Sequence, residues 1–110
     1  MTRRFWLAAL IAAAFLISLA PSVATATPPL PASMAAVGDS ITQAASSGGG
    51  LGTDYPQNSW STGTNATVNS HYLRLLALNS AISGRNYNRS VSGAKMADLN
   101  GQMQNVVALQ

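Results

Sequence analysis

The sequence predicts an α/β fold built on a parallel sheet, and three observations carry that expectation. A short apolar run, Ala35 to Val37, breaks at a glycine in the manner of a buried strand that ends in a turn. Two segments, Val68 to Leu78 and Ala94 onward, space their apolar residues at helical intervals. Between them, Asn86 to Val91 has a weak second strand pattern. Strand, long loop, helix, strand, helix is the opening order of a layered α/β domain.

Taken from the amino terminus, the chain starts with Arg3 and Arg4, followed by the uncharged apolar stretch Phe5 to Leu19 and a break at Pro21. Ala24-Thr25-Ala26 then supplies the small-x-small pattern of a signal peptidase site, so residues 1–26 are predicted to be a secretory signal cleaved after Ala26. The competing reading is a membrane anchor, but the stretch is shorter than the ~20 apolar residues a spanning helix needs. Thr2-Arg3-Arg4 is similar to a twin-arginine signal, yet Trp6-Leu7-Ala8 departs from that pattern, which favours the general secretory route.

Residues 27–33, with three prolines, form an extended leader, and residues 34–110 form the domain. Ala44 to Thr67 is rich in Ser, Gly, Thr and Asn and is predicted to be one long loop. A loop of that length beside a turn invites a role as a pocket wall, with Tyr55, Pro56 and Trp60 lining or covering the site. In the first helix Val68, Tyr72, Leu75, Leu76 and Leu78 share a face, and Asn79, Ser83 and Gly84 close the segment. In the second, Met96, Leu99, Met103, Val106 and Val107 recur at helical spacing, with Ser92 as a candidate cap and Met96 and Met103 as default core residues. Two strands and two helices do not close a layered core, so the domain is expected to be partial.

Composition removes several function classes. The whole chain carries a formal charge of +3. Without residues 1–26, Arg74, Arg85, Arg89 and Lys95 stand against Asp39, Asp54 and Asp98. No basic stripe or aromatic-basic cluster exists, so nucleic acid is not an expected partner. Cysteine is absent, which excludes disulfides and thiolate metal sites, and no grouping of His, Asp and Glu suggests a metal or other cofactor. Gly48 to Gly52 lacks the Gly-Lys-Ser/Thr that would make it a phosphate cradle.

The chemistry concentrates at Gly38-Asp39-Ser40-Ile41-Thr42. A serine on a sharp turn at the carboxyl end of a strand has its hydroxyl pushed clear of the sheet, where neighbouring N–H groups can face the same reacting atom. The alternative is a turn serine that merely caps the next helix, and Asp39 is read as holding the turn through backbone hydrogen bonds. This segment resembles the first block of the GDSL, or SGNH, hydrolases, a family of esterases and lipases. Asn88-Arg89-Ser90-Val91-Ser92-Gly93-Ala94 is similar to the family's second block, and Pro56 to Gly63 to a loop of its phospholipase B-like branch.

The resemblance spans roughly Ala35 to Gln110. It implies the amino-terminal part of a three-layer αβα, flavodoxin-like fold. It also implies Ser40 as the nucleophile, with the N–H groups of Ser40 and Gly93 as two of three oxyanion donors. The family's Gly-x-Asn-Asp and Asp-x-x-His blocks do not occur in these residues. The single histidine, His71, lies in the first predicted helix without that spacing and is read as a packing or solvent-facing residue. The expectation is a truncated, secreted serine hydrolase of carboxylic esters, lipid or acyl, that is active in its complete form. No stable membrane anchor is expected after signal cleavage. A secreted binding protein without a base and a non-functional gene fragment are the alternatives.

Overall fold

The computed structural model describes residues 27–109; the proposed signal and its cleavage point after Ala26 lie outside them. Strand β1, Met34–Ala36, pairs in parallel with strand β2, Asn86–Asn88, in the register Met34 to Asn86, Ala35 to Tyr87 and Ala36 to Asn88. Helix α1 covers His71–Leu78 and helix α2 covers Leu99–Val107, with short 3-10 turns at Pro56–Asn58, Ser80–Ile82 and Met96–Asp98. The fold is therefore α/β, with two parallel strands and two helices among the described residues.

Both strands are shorter or shifted relative to expectation, and local hydrogen bonds explain it. Val37 leaves the strand because Gly38 follows at φ +141° and turns its N–H toward Gln102 rather than along the ladder. At the other strand the expected run to Val91 stops at Asn88. The Asn88 side chain accepts the Ser90 N–H at 3.1 Å, an Asx turn that competes with the extended backbone. The pairing nevertheless continues as single bonds, Arg89 N–H to the Ala36 carbonyl at 2.8 Å and Val91 N–H to the Gly38 carbonyl at 3.1 Å.

Helix α1 starts three residues later than its apolar spacing suggests. Asn69 sits at φ +50°, which interrupts the helix, and Ser70 then caps it by accepting the Leu73 N–H at 3.2 Å. The same hydroxyl donates to the Gly63 carbonyl at 2.6 Å, tying the helix start to the preceding loop. At the far end Asn79 leaves helical geometry and its side chain accepts the Ala81 N–H, nucleating the adjoining 3-10 turn. Tyr72 and Ile82 are the buried apolar side chains among the described residues, and the Tyr72 hydroxyl accepts the Gly84 N–H at 3.0 Å.

Most other buried side chains are small and polar: Thr42, Ser59, Ser61, Thr62, Ser70 and Ser90, together with Gln102. Ser59, for example, accepts the N–H groups of Ser61 and Thr62, so its burial leaves no stranded hydroxyl acceptor. Gly63 fits this knot because a Cβ there would lie 2.6 Å from the Gln57 carbonyl oxygen. The long polar stretch therefore folds into a bonded unit that supplies much of the interior.

Helix α2 turns a different face inward than its apolar residues suggest. Gln102 is buried and Val106 half-buried, whereas Met96 is 83 % and Met103 44 % exposed, so the default assignment of both methionines to the core is corrected. Ser92 does not cap this segment; its hydroxyl donates to Asp54, while Asp98 accepts the Lys95 N–H at 2.8 Å ahead of the helix. No helix among the described residues is long and apolar enough to cross a membrane.

Candidate active site

The turn after β1 is held from three directions. Asp39 accepts the Ile41 N–H at 2.9 Å through its side chain and the Gln43 N–H at 3.1 Å through its carbonyl. The Ser40 carbonyl accepts the Ala45 N–H at 2.9 Å. Residues 40–48 thus form a chain of turns rather than a helix, with Ala44 and Ser46 at positive φ. Asp39 is a structural residue of the turn. Gly38 is required where it stands, since its φ of +141° is disfavoured with a side chain and a Cβ would approach Thr42 Oγ1 to 2.6 Å.

The second segment is bound to this turn by reciprocal side-chain amides. Asn88 donates to the Thr42 carbonyl at 3.2 Å, and Gln43 donates to the Ser90 carbonyl at 2.5 Å. Asn88 also accepts from the Ser90 hydroxyl at 2.5 Å, so its carboxamide is bonded at both ends. With the Val91 N–H on the Gly38 carbonyl, these bonds bring residues 38–43 and 88–93 together from opposite ends of a long loop and helix.

Ser40 opens onto a cleft of about 660 Å³, lined also by Ile41, Ala44, Ala45, Ser46, Leu51, Gly52 and Ser92. Ser92 belongs as well to an adjoining depression of about 410 Å³ lined by Gly93. The two expected donors therefore border neighbouring hollows that share one residue. Gly93 sits at φ +84° with nothing near the place of a Cβ, so its backbone is open to an approaching group. Among the described residues, neither the Ser40 N–H nor the Gly93 N–H nor the Ser40 hydroxyl has a protein hydrogen-bond partner. Fixed N–H groups of this kind can stabilise a developing oxyanion by a few kcal/mol each where both reach the same atom.

The remaining sequence candidates lie elsewhere. His71 is exposed at the start of α1, stacks edge-on against Trp60 with ring centroids 5.2 Å apart, and is not part of the Ser40 cleft. Tyr55, Pro56 and Trp60 do not line that cleft, contrary to expectation. The Tyr55 hydroxyl instead accepts the Gly50 N–H at 3.0 Å and props the glycine loop from beneath, while Pro56 borders a separate hollow. The wall is made by Ile41 and Leu51, 72 % and 97 % exposed, on the turn and on the glycine-rich loop. No three His, Cys, Asp or Glu side chains gather to hold a metal ion among the described residues.

Sequence reasoning misses two residues of the site, Gln43 and Gln102. Gln102 had a readable signal: it falls three residues after Leu99 and four before Val106, a polar side chain on the face that those residues share. No protein-family model, curated protein or solved structure matches the chain.

Proposed function

We propose that the chain carries the nucleophile half of a secreted SGNH-type serine hydrolase acting on carboxylic esters. In this reading Ser40 attacks the ester carbonyl and the N–H groups of Ser40 and Gly93 receive the oxyanion. The observation that carries it is the pairing of the two segments. The Val91 N–H on the Gly38 carbonyl sets a free hydroxyl and two unpartnered N–H groups around adjoining hollows. Such an arrangement serves acyl transfer and has no evident use in holding the fold together.

Among the described residues no histidine lines the cleft, since His71 is engaged with Trp60. The base and the third oxyanion donor belong, on this reading, to sequence carrying the Asp-x-x-His and Gly-x-Asn-Asp blocks, within a three-layer αβα domain. The exposed apolar residues Ile41 and Leu51 at the cleft suit an acyl chain. On this reading residues 1–26 direct export and are removed.

The test supplies the base from solution. Imidazole takes the Ser40 proton as Oγ bonds to the acyl carbon of an activated phenyl ester, and the phenolate leaves with the electron pair of the broken bond. The acyl-serine then accumulates, because an alkyl ester of serine hydrolyses far more slowly than the activated phenyl ester that forms it. Intact-mass and peptide analysis should find a single acyl group on Ser40, dependent on imidazole and absent in Ser40→Ala. Acylation scattered over several serines, or equal in Ser40→Ala, refutes the reading. A cleft that binds the ester without acylation favours the binding-protein alternative, which the distance of His71 from the cleft also supports.

A further inference from the structure

We propose that Gln102 is a positioning residue for the Ser40 turn, an inference that rests on the reading of Ser40 as nucleophile. Gln102 projects from α2 and is 5 % exposed. Its Oε1 accepts the Gly38 N–H at 2.7 Å and its Nε2 donates to the Gly38 carbonyl at 2.8 Å. Only this orientation of the carboxamide makes both bonds, since the flipped one sets donor against donor and acceptor against acceptor. One side chain thus grips both polar groups of the glycine two residues before Ser40.

The grip determines where the turn's donors go. The Gly38 carbonyl takes Gln102 on one lone pair and the Val91 N–H on the other, so it has no capacity left. The Gly38 N–H is withdrawn into the interior by Gln102, and the Ile41 N–H is taken by Asp39. Ser40 is left between two anchored positions with its own N–H free. Without Gln102, Gly38 at φ +141° has no side chain of its own to hold it and can rotate, carrying the Ser40 N–H with it. Gln102 borders the Gly93 hollow too, so α2 underlies both expected donors.

Gln102→Leu removes both bonds at similar volume, and Gln102→Glu keeps the shape. In Gln102→Glu the ionised carboxylate accepts the Gly38 N–H but has no hydrogen for the carbonyl, whereas the protonated acid makes both bonds. Gln102 and Gly38 also line a third hollow of about 290 Å³, bordered by Asp39 and Lys95, and Asp98 borders the Gly93 hollow; these are the charged groups near the side chain. The full chain is followed by amide hydrogen exchange, as the protection factor of Gly38, and by imidazole-supported acylation of Ser40.

In Gln102→Leu the Gly38 protection should fall about tenfold or more, and acylation should slow by a similar factor. In Gln102→Glu the protection should approach the wild-type value at acid pH and fall as the carboxyl ionises, a step the wild type lacks. If Gln102→Leu does not fold, the pH profile of Gln102→Glu decides. Unchanged Gly38 protection in Gln102→Leu, or a flat profile in Gln102→Glu, overturns the proposal, as does full-rate acylation once protection is lost. A wild type that is not acylated at all defeats the nucleophile reading, while the exchange ratio still reports whether Gln102 holds the turn.

Discussion

Gly38→Ala is the sharpest test of how the turn before Ser40 is built. Two terms act on the added methyl. The backbone at φ +141° is a conformation that side chains rarely adopt, which costs roughly 1–3 kcal/mol. The methyl also meets Thr42 Oγ1 at 2.6 Å and Thr42 Cβ at 3.3 Å, and Thr42 is 6 % exposed, with little room to retreat. Overpacking of that kind adds about 1–3 kcal/mol. The loss of chain entropy in the unfolded state returns ~0.4–1 kcal/mol, so the net destabilisation is about 1–6 kcal/mol. A domain of about 83 described residues is stable by roughly 4–12 kcal/mol, so the variant should lose a large part of it.

Urea unfolding followed by far-ultraviolet circular dichroism measures this, and a cycle with Thr42→Ala separates the two terms. Thr42→Ala removes Oγ1 and keeps Cβ, so the double variant should recover about 1–2 kcal/mol relative to the sum of the singles. The remainder is the backbone term. A Gly38→Ala variant within ~0.5 kcal/mol of wild type would refute the account of the turn. Strict additivity would refute the steric part alone.

Other outcomes depend on single residues. Asn88→Ala strips partners from the Thr42 carbonyl and from Ser90, and should destabilise by about 1–3 kcal/mol in the same unfolding assay. Ser70→Ala removes a helix cap and leaves the Gly63 carbonyl without its donor, so a loss of ~1–2 kcal/mol is expected, with Ser70→Thr retaining part of it. His71→Ala should leave imidazole-supported acylation of Ser40 unchanged within about twofold, because its ring faces Trp60. A large fall in that rate would return His71 to the site.

The order of elements was legible in the sequence because periodicity and breakers report on it directly. Ala35 to Val37 with Gly38, and Tyr72 in a helical stripe, both landed within a residue or a turn of their places. The boundaries were less legible where a side chain competes with the backbone. Ser70 and Asn88 each end or begin an element through a bond that apolar spacing does not encode. The interior was least legible. A buried Ser59 or Thr62 looks like surface in a composition-based reading, and Met96 looks like core. At Ser59 and Ser70 burial goes with a hydroxyl that finds backbone partners, a property of three-dimensional neighbours, whereas the buried Thr62 Oγ1 has none. The segments around Ser40 and Gly93 could be marked from their turn residues, but Gln43 and Gln102, which tie those segments together, are ordinary amides until the chain is folded.

The bond from Gln102 to Gly38 spans 64 residues of sequence, and it gives the site a place in time. A chain emerging from the ribosome can form the turns of residues 39–48 early, from local contacts alone. Gly38 cannot take its final hydrogen bonds until α2 has been synthesised and docked, and the intervening segment pays a loop-closure entropy that grows slowly with length. The turn that carries Ser40 should therefore acquire its final geometry among the last events of folding. Until α2 docks, the turn after Gly38 stays without two of the bonds that fix it.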